Sequence, residues 1–286
     1  MILVIGGRSK IGSALIEELL ARGETLRALT RSGERAGSFP DGAETVVGEL
    51  ADAESLRAAM DGVDKLSLLS GNDRNEVEWH RNAIDAARAV GMGLLVRSSA
   101  LGSDPTSAST FLRNHGASDR HLEESGVPYV IVRPNRYLQH VTENVIPSID
   151  PNGNFYGNEG DARVSMVDTR DAAAVAAVAL TESGHEGRAF DLTGPEAISH
   201  EDIAARLSSV AGRSINFVAV PDDAVRETLL GFGMDEWLVG AIVGLGADYR
   251  RCGTAGYPAR VTRTVQELTG REPRSLDQLL EESWAP

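Results

Sequence analysis

Cysteine occurs once in this 286-residue chain, at Cys252. That excludes an internal disulfide and a zinc site built from several thiolates, and it suits a reducing cytoplasm. Lysine is nearly as scarce, at Lys10 and Lys65 alone, and no tyrosine precedes Tyr129. The remaining basic charge is arginine, a bias that points to a GC-rich bacterial genome. Bases are outnumbered in any case: 28 Lys and Arg stand against 42 Asp and Glu, a net charge of −14 with no basic block. An acidic surface repels phosphate backbones, so nucleic acid is not an expected partner. Long apolar runs are missing too. The opening MILVIGG has no basic leader and no cleavage site, and AAAVAAVAL (172–180) is too short and alanine-rich to span a bilayer. These absences predict a cytoplasmic protein without a membrane partner. His121, His140, His185 and His200 show no ligand spacing, so no metal is expected, and there is no serine-nucleophile elbow.

What is present is an alternation. With 42% hydrophobic and 24% charged residues the chain can build one large domain, or a domain with a smaller lobe. Short β-branched runs predict strands at 2–5, 25–29, 44–47, 65–69, 94–98 and 129–133, with amphipathic helical patterns between them. Ile11, Ala14, Leu15 and Leu19 share one helical face, and Ala83, Ile84, Ala87 and Val90 share another. Alternation of this kind marks β-α-β units, hence an α/β fold: a Rossmann-type, doubly wound parallel sheet. The Gly/Asn/Pro-rich segment 150–161 reads as a crossing into a second region, while GRAFDLTG (187–194) reads as a strand returning to the sheet. The expected division is a dinucleotide-binding domain over 1–150 with a return around 163–195. A small, mostly helical substrate lobe follows over 196–286.

The stretch VIGGRSKIG (4–12) runs from the first strand into the first helix. Gly6, Gly7 and Gly12 let backbone N–H groups approach a pyrophosphate and let the helix start close to the strand. Ser9 stands where a middle glycine is usual. It gives up access to positive φ there, but its hydroxyl can donate to a phosphate. Arg8 or Lys10 supplies charge, and Ile11 lies in the same turn. About twenty residues past the last glycine, an acidic side chain would take the ribose 2′-hydroxyl of NAD. Here Arg31 and Ser32 stand instead. A guanidinium pairs well with phosphate, so NADP(H) is favoured and NAD(H) remains open.

With VIGGRSKIG, the segments LTRSGERA, HRNAIDAARAVG (80–91), SSALGSD (98–104), HGASDRHLEESGVPYVIVRPN (115–135) and ESGHEGRAFDLTG (182–194) resemble the NmrA-like branch of the atypical short-chain dehydrogenases/reductases. Within it the similarity is to bacterial type 2 NAD(P)H:quinone oxidoreductases, over nearly the full length. Ordinary members of that superfamily use Tyr-x-x-x-Lys to move a proton. Here the spacing places those positions on Phe111 and His115. General acid–base help of that kind is worth about 3 to 5 kcal/mol of barrier, which an alcohol or simple ketone would miss badly. A quinone would miss it less, because the charge of an added hydride spreads into an aromatic hydroquinone. The protein then supplies mainly proximity, holding ring and nicotinamide about 3 to 3.5 Å apart.

In parallel sheets the ligand crevice lies beyond the C-terminal strand ends. Leu69, Ser70 and Gly71 there are expected to line the cofactor's ribose side, and the resemblance gives Ser98 a substrate-orienting role, with Ser99 beside it. It also places His115, with Asp119 one turn on, where it can bond the nicotinamide ribose or pass a proton. Pro134 and Asn135 are expected near the nicotinamide, with Arg136, Tyr137 and Gln139 toward the substrate lobe. The catalytic candidates are thus His115, Ser98 and Tyr137. Phe111 shapes a pocket, Asp168 and Asp171 fix helix and loop, and Trp79, Trp237 and Tyr249 either wall a planar substrate or fill core. The resemblance implies an NAD(P)H-dependent oxidoreductase acting on a quinone or related aromatic carbonyl compound, as in aromatic polyketide tailoring, and a homodimer is compatible with it. The other reading is a redox sensor that binds the dinucleotide and regulates a protein partner without turnover.

Overall fold

The computed structural model describes residues 1–31 and 39–283. Seven strands form one sheet in the order β3-β2-β1-β4-β5-β6-β8. They are β1 (Ile2–Ile5), β2 (Leu26–Thr30), β3 (Ala43–Val47), β4 (Lys65–Leu68), β5 (Leu94–Ser98), β6 (Tyr129–Pro134) and β8 (Arg188–Leu192). Registers such as Ile2↔Leu26, Ile2↔Lys65 and Leu95↔Tyr129 are all parallel. β8 runs the same way, since Gly187 N donates to Tyr129 O and Asn135 N to Leu192 O. β1 and β5 have the expected bounds, and the other strands of the sheet depart from them by one or two residues at an end. β1 is ILVI, buried at all four positions, as a strand covered on both faces must be.

Chain order reverses between β1 and β4, which opens a crevice at their C-terminal ends. On one face lie α2 (Ala53–Ala59), α3 (Glu76–Ala89) and α4 (Thr110–Glu124). Leu56, Ala83, Ile84 and Ala87 join Leu3, Leu66, Leu95 and Ile131 in a continuous core there. Val90, expected on the α3 stripe, is the exposed C-cap. On the other face α1 (Lys10–Ala21) packs against α6 (Thr169–Thr181). The buried stripe of α1 is Gly12, Leu15, Ile16 and Leu19, rotated from the expected one to include Ile16. AAAVAAVAL lies within α6 and is buried all round, because alanine lets helix and sheet approach closely. Among the described residues no helix is long and apolar enough to cross a membrane.

The chain divides into two compact units. The first comprises residues 1–106, 113–133 and 169–191, and so carries the sheet. The second comprises 107–112, 134–168 and 192–286. In the second, β7 (Asn154–Gly157) and β9 (Asn216–Ala219) pair in parallel. They sit with a short helical turn α5 (Ile146–Ser148), α7 (His200–Ala211), α8 (Asp222–Gly231), α9 (Glu236–Cys252), α10 (Thr264–Thr269) and α11 (Leu276–Ser283). The segment 150–161 is therefore more than a crossing. Its four-residue strand, anchored by the buried Phe155, is masked in the sequence by the turn residues around it.

Candidate nucleotide cleft and active site

The crevice is a cleft of about 530 Å³, within the usual size of small-molecule sites. Residues 6–9 border it at the end of β1, residues 69–73 at the end of β4, and Thr30, Arg31 and residues 48–51 beyond β2 and β3, with Trp79 from α3. Gly6 has φ +81, and a Cβ there would meet the Leu69 carbonyl oxygen. A Cβ on Gly12 would meet Gly6 O and Gly7 Cα. Only glycines let α1 begin this close to β1, leaving its positive N-terminal end beside the cleft. Ser9 needs no glycine freedom, because its φ is −72 and ψ 162. Its Oγ accepts from Gly12 N at 3.0 Å and donates to Gly6 O at 2.9 Å. The hydroxyl hydrogen expected on a phosphate is thus spent on the Gly6 carbonyl, while the oxygen caps α1. Arg8 borders the cleft; Lys10 is exposed but does not line it. Ile11 turns the other way, lining a small void with Leu15, Ser67, Ala172 and Ala176. Arg31 is exposed at the rim, and Ser32 lies outside the described residues.

Ser98 and His115 are not brought together. Successive strand residues point to opposite faces, and Ser98 borders the void on the α1/α6 side of β5. Arg97 and Ser99 project toward α3 and α4. Arg97 is completely buried; its Nε and Nη2 lie 3.3 and 3.0 Å from His80 Nδ1, and its Nη1 donates to Asp119 Oδ1. Asp119 Oδ2 also accepts from Ser99 Oγ and Ser103 Oγ, both at 2.9 Å, and from Arg133 Nη2 at 3.0 Å. Arg97 Nη2 stands 3.2 Å from His115 Nδ1. Burial, then the Arg97 charge, pull the His115 pKa down to about 3, against the pull of Asp119. His115 is therefore a neutral imidazole at physiological pH and does not act as an imidazolium acid. The guanidinium N–H facing Nδ1 is satisfied when Nδ1 accepts and the ring hydrogen sits on Nε2. Beside it, Gly116 lets α4 lie against the backbone of Asp104 and Pro105, where any Cβ would collide.

Pro134, Asn135 and Tyr137 belong to the second unit. Pro134 ends β6, and Asn135 is buried with its amide fully engaged. Its Nδ2 donates to Ser165 Oγ at 2.9 Å and Pro258 O at 2.8 Å, while its Oδ1 accepts from Arg136 N. That amide therefore ties the chain after β6 to residues 165 and 258. Tyr137 is bridged to Val167 through its backbone. Arg136 pairs with Glu159 at 3.0 Å and lies 5.2 Å over the Tyr249 ring. Phe111 packs edge-on against Trp237 at 6.2 Å. Asp168 and Asp171 are both buried.

A family model described as NAD(P)H-binding matches residues 6–183. The chain belongs to the NAD(P)H-binding family. It is 34% identical to the NAD(P)H azoreductase of Xenophilus azovorans, over 96% of this chain and 95% of that one. It is 37% identical to the (4-alkanoyl-5-oxo-2,5-dihydrofuran-3-yl)methyl phosphate reductase of Streptomyces griseus, over 96% and 94%. Quinone oxidoreductase 2 of Escherichia coli is 28% identical over 83% and 84%. The fold of an NADPH-dependent quinone oxidoreductase from Escherichia coli complexed with NADPH matches with a TM-score of 0.90 at 24% identity, over 99% of each chain.

The cleft of this NAD(P)H-binding chain fits a dinucleotide on its own terms. Among the described residues, Ser70 lines it with a buried Oγ that has no hydrogen-bond partner, and a Cβ on Gly71 would meet no atom within 4 Å. A polar atom left unpaired in a binding wall is one that a ligand can satisfy. The sequence reading missed residues 48–51 and Asp73 on the cleft, and placed Trp79 only as a wall or core residue. A signal was available in GEL (48–50), a glycine and carboxylate directly after β3. The reading also missed Arg97 and Glu76, which carried no motif, and gave no role to His80 although it heads HRNAIDAARAVG.

Proposed function

We propose that this chain is a reductase that prefers NADPH and reduces a quinone or another planar, conjugated acceptor. When bound, the reduced nicotinamide supplies the hydride. The loop from Gly6 to Gly12 and the α1 N-terminus receive the pyrophosphate, Arg31 pairs with the 2′-phosphate, and Ser70 satisfies its hydroxyl on the ligand. The observation that carries the reading is at the lysine position of the Tyr-x-x-x-Lys pattern. A neutral His115 stands there under Arg97, so a strong acid–base pair is missing. Acceptors whose added charge is delocalised tolerate that lack, and His115 Nε2–H offers them a hydrogen bond. Relatives named for an azo group, a quinone and a 5-oxo-2,5-dihydrofuran support such acceptors. The single cysteine suits a reducing cytoplasm.

The test is anaerobic single-turnover oxidation of bound NADPH mixed with simple and polycyclic quinones. Oxidation well above the protein-free rate is expected. Tight NADPH binding with no oxidation across the panel would replace this reading with that of a redox sensor.

A further inference from the structure

The buried cluster behind the cleft contains an acid that neither cofactor binding nor hydride transfer uses. Glu76 opens α3, three residues after the cleft-lining Asp73, to whose carbonyl its backbone N–H donates at 3.1 Å. Its side chain is 1% exposed, with Oε1 3.3 Å from His115 Nδ1 and Oε2 without a partner among the described residues. The His115 side chain as a whole keeps 15% exposure.

We propose that Glu76 is a positioning residue for His115: the proton on its carboxyl decides which imidazole nitrogen carries the hydrogen, and so whether Nε2 donates or accepts. The reasoning is one of hydrogen-bond polarity. A protonated Glu76 shares the single Nδ1 lone pair with Arg97 Nη2 as a second donor, and this leaves the hydrogen on Nε2. An ionised Glu76 sets a carboxylate against the Nδ1 lone pair. That contact becomes favourable only when Nδ1 carries the hydrogen, and Nε2 then becomes an acceptor that repels a developing oxyanion.

The charges around Glu76 place the change in the physiological range. Burial drives its pKa up, Arg97 from β5 opposes, and Asp73 from the preceding loop and Asp119 from α4 add to the rise, leaving it at about 7. The α3 N-terminus favours the carboxylate. His80 on the same helix and His115 itself are neutral neighbours, because burial and Arg97 hold both below the ordinary histidine range. Arg133 from β6 reaches the cluster through Asp119.

The consequence for turnover rests on the reading of His115 as a donor in a reductase, so a direct readout on the cofactor-free protein comes first. Nitrogen-15 NMR of histidine-labelled protein, with His115 assigned by its absence in His115→Gln, reports the tautomer between about pH 5.5 and 8.5. The wild type is expected to pass from Nε2–H to Nδ1–H with a midpoint near pH 7. Glu76→Gln, whose amide donates at every pH, is expected to stay Nε2–H throughout. A single His115 tautomer across the range in the wild type, or the same transition in Glu76→Gln, would overturn the proposal. The second readout is quinone-dependent NADPH oxidation: an alkaline decline near pH 7 in the wild type, abolished in Glu76→Gln. If the tautomer changes as expected but both proteins share one rate profile, Glu76 positions His115 and the donor role of His115 fails.

Discussion

At the scale of single residues, the decisive side chain is Arg97. It is buried completely and holds His80, His115 and Asp119 at once. Removing one partner of a buried charge cluster leaves the others uncompensated, at a cost of about 3–5 kcal/mol. Arg97→Ala is expected to lose that much in urea denaturation, whereas Arg133→Ala, whose side chain is a quarter exposed, loses far less. At the cleft rim, Arg31→Asp tests cofactor preference. A charge-assisted hydrogen bond is worth about 1.5–3 kcal/mol, so the NADPH Kd should weaken roughly ten- to a hundredfold with NADH little affected. Equal weakening of both would show that Arg31 does not read the 2′-phosphate.

At the scale of elements, the β1–α1 junction separates two functions that a loop motif runs together. Gly12 exists for approach, since a Cβ there meets the backbone of Gly6 and Gly7. Gly12→Ala is expected to cost about 1–3 kcal/mol through overpacking and to weaken NADPH binding by displacing the loop. Ser9 exists for capping, with Oγ bonded to Gly12 N and Gly6 O. Ser9→Ala should therefore cost about 0.5–2 kcal/mol and Ser9→Gly only a few tenths, while both keep NADPH affinity near wild type. A tenfold loss of affinity in Ser9→Gly, measured by fluorescence titration, would return the hydroxyl to the phosphate. β5 shows the limit of local reading. Its strand was visible in LLVRS, but nothing local tells which face meets α4. Ser98 and His115 were both expected to border the reaction site, but the face that α4 covers presents Arg97 and Ser99.

At the scale of the whole molecule, buried histidines govern the response to acid. His80, His115, His140 and His200 all have pKa values lowered below 6.5 by burial first, His115 and His140 to about 3. The unfolded chain then binds more protons than the native one between about pH 3 and 6.5, so stability present above pH 6.5 is lost as pH falls through that window. Each proton contributes at most about 1.4 kcal/mol per pH unit. Glu76, raised from 4.5 to about 7, works in the opposite sense, losing stability as pH rises between those values, but with one proton against four. Urea midpoints should fall on acidification below pH 6.5; a flat profile from pH 7 to 4.5 would show that these histidines are not held neutral. The sequence by itself determined the α/β alternation, the glycine-shaped first turn, the arginine at the end of β2 and the lack of a Tyr-x-x-x-Lys pair. Each is a property of neighbours along the chain, where backbone sterics and hydrophobic period act. Only the tertiary structure decided that Asp119 gathers Arg97, Ser99, Ser103 and Arg133, that Asn135 spends its amide on residues 165 and 258, and that Glu76 faces His115. Those meetings depend on which strand lies beside which and on how deeply charge is desolvated, and neither quantity exists until the chain has closed on itself.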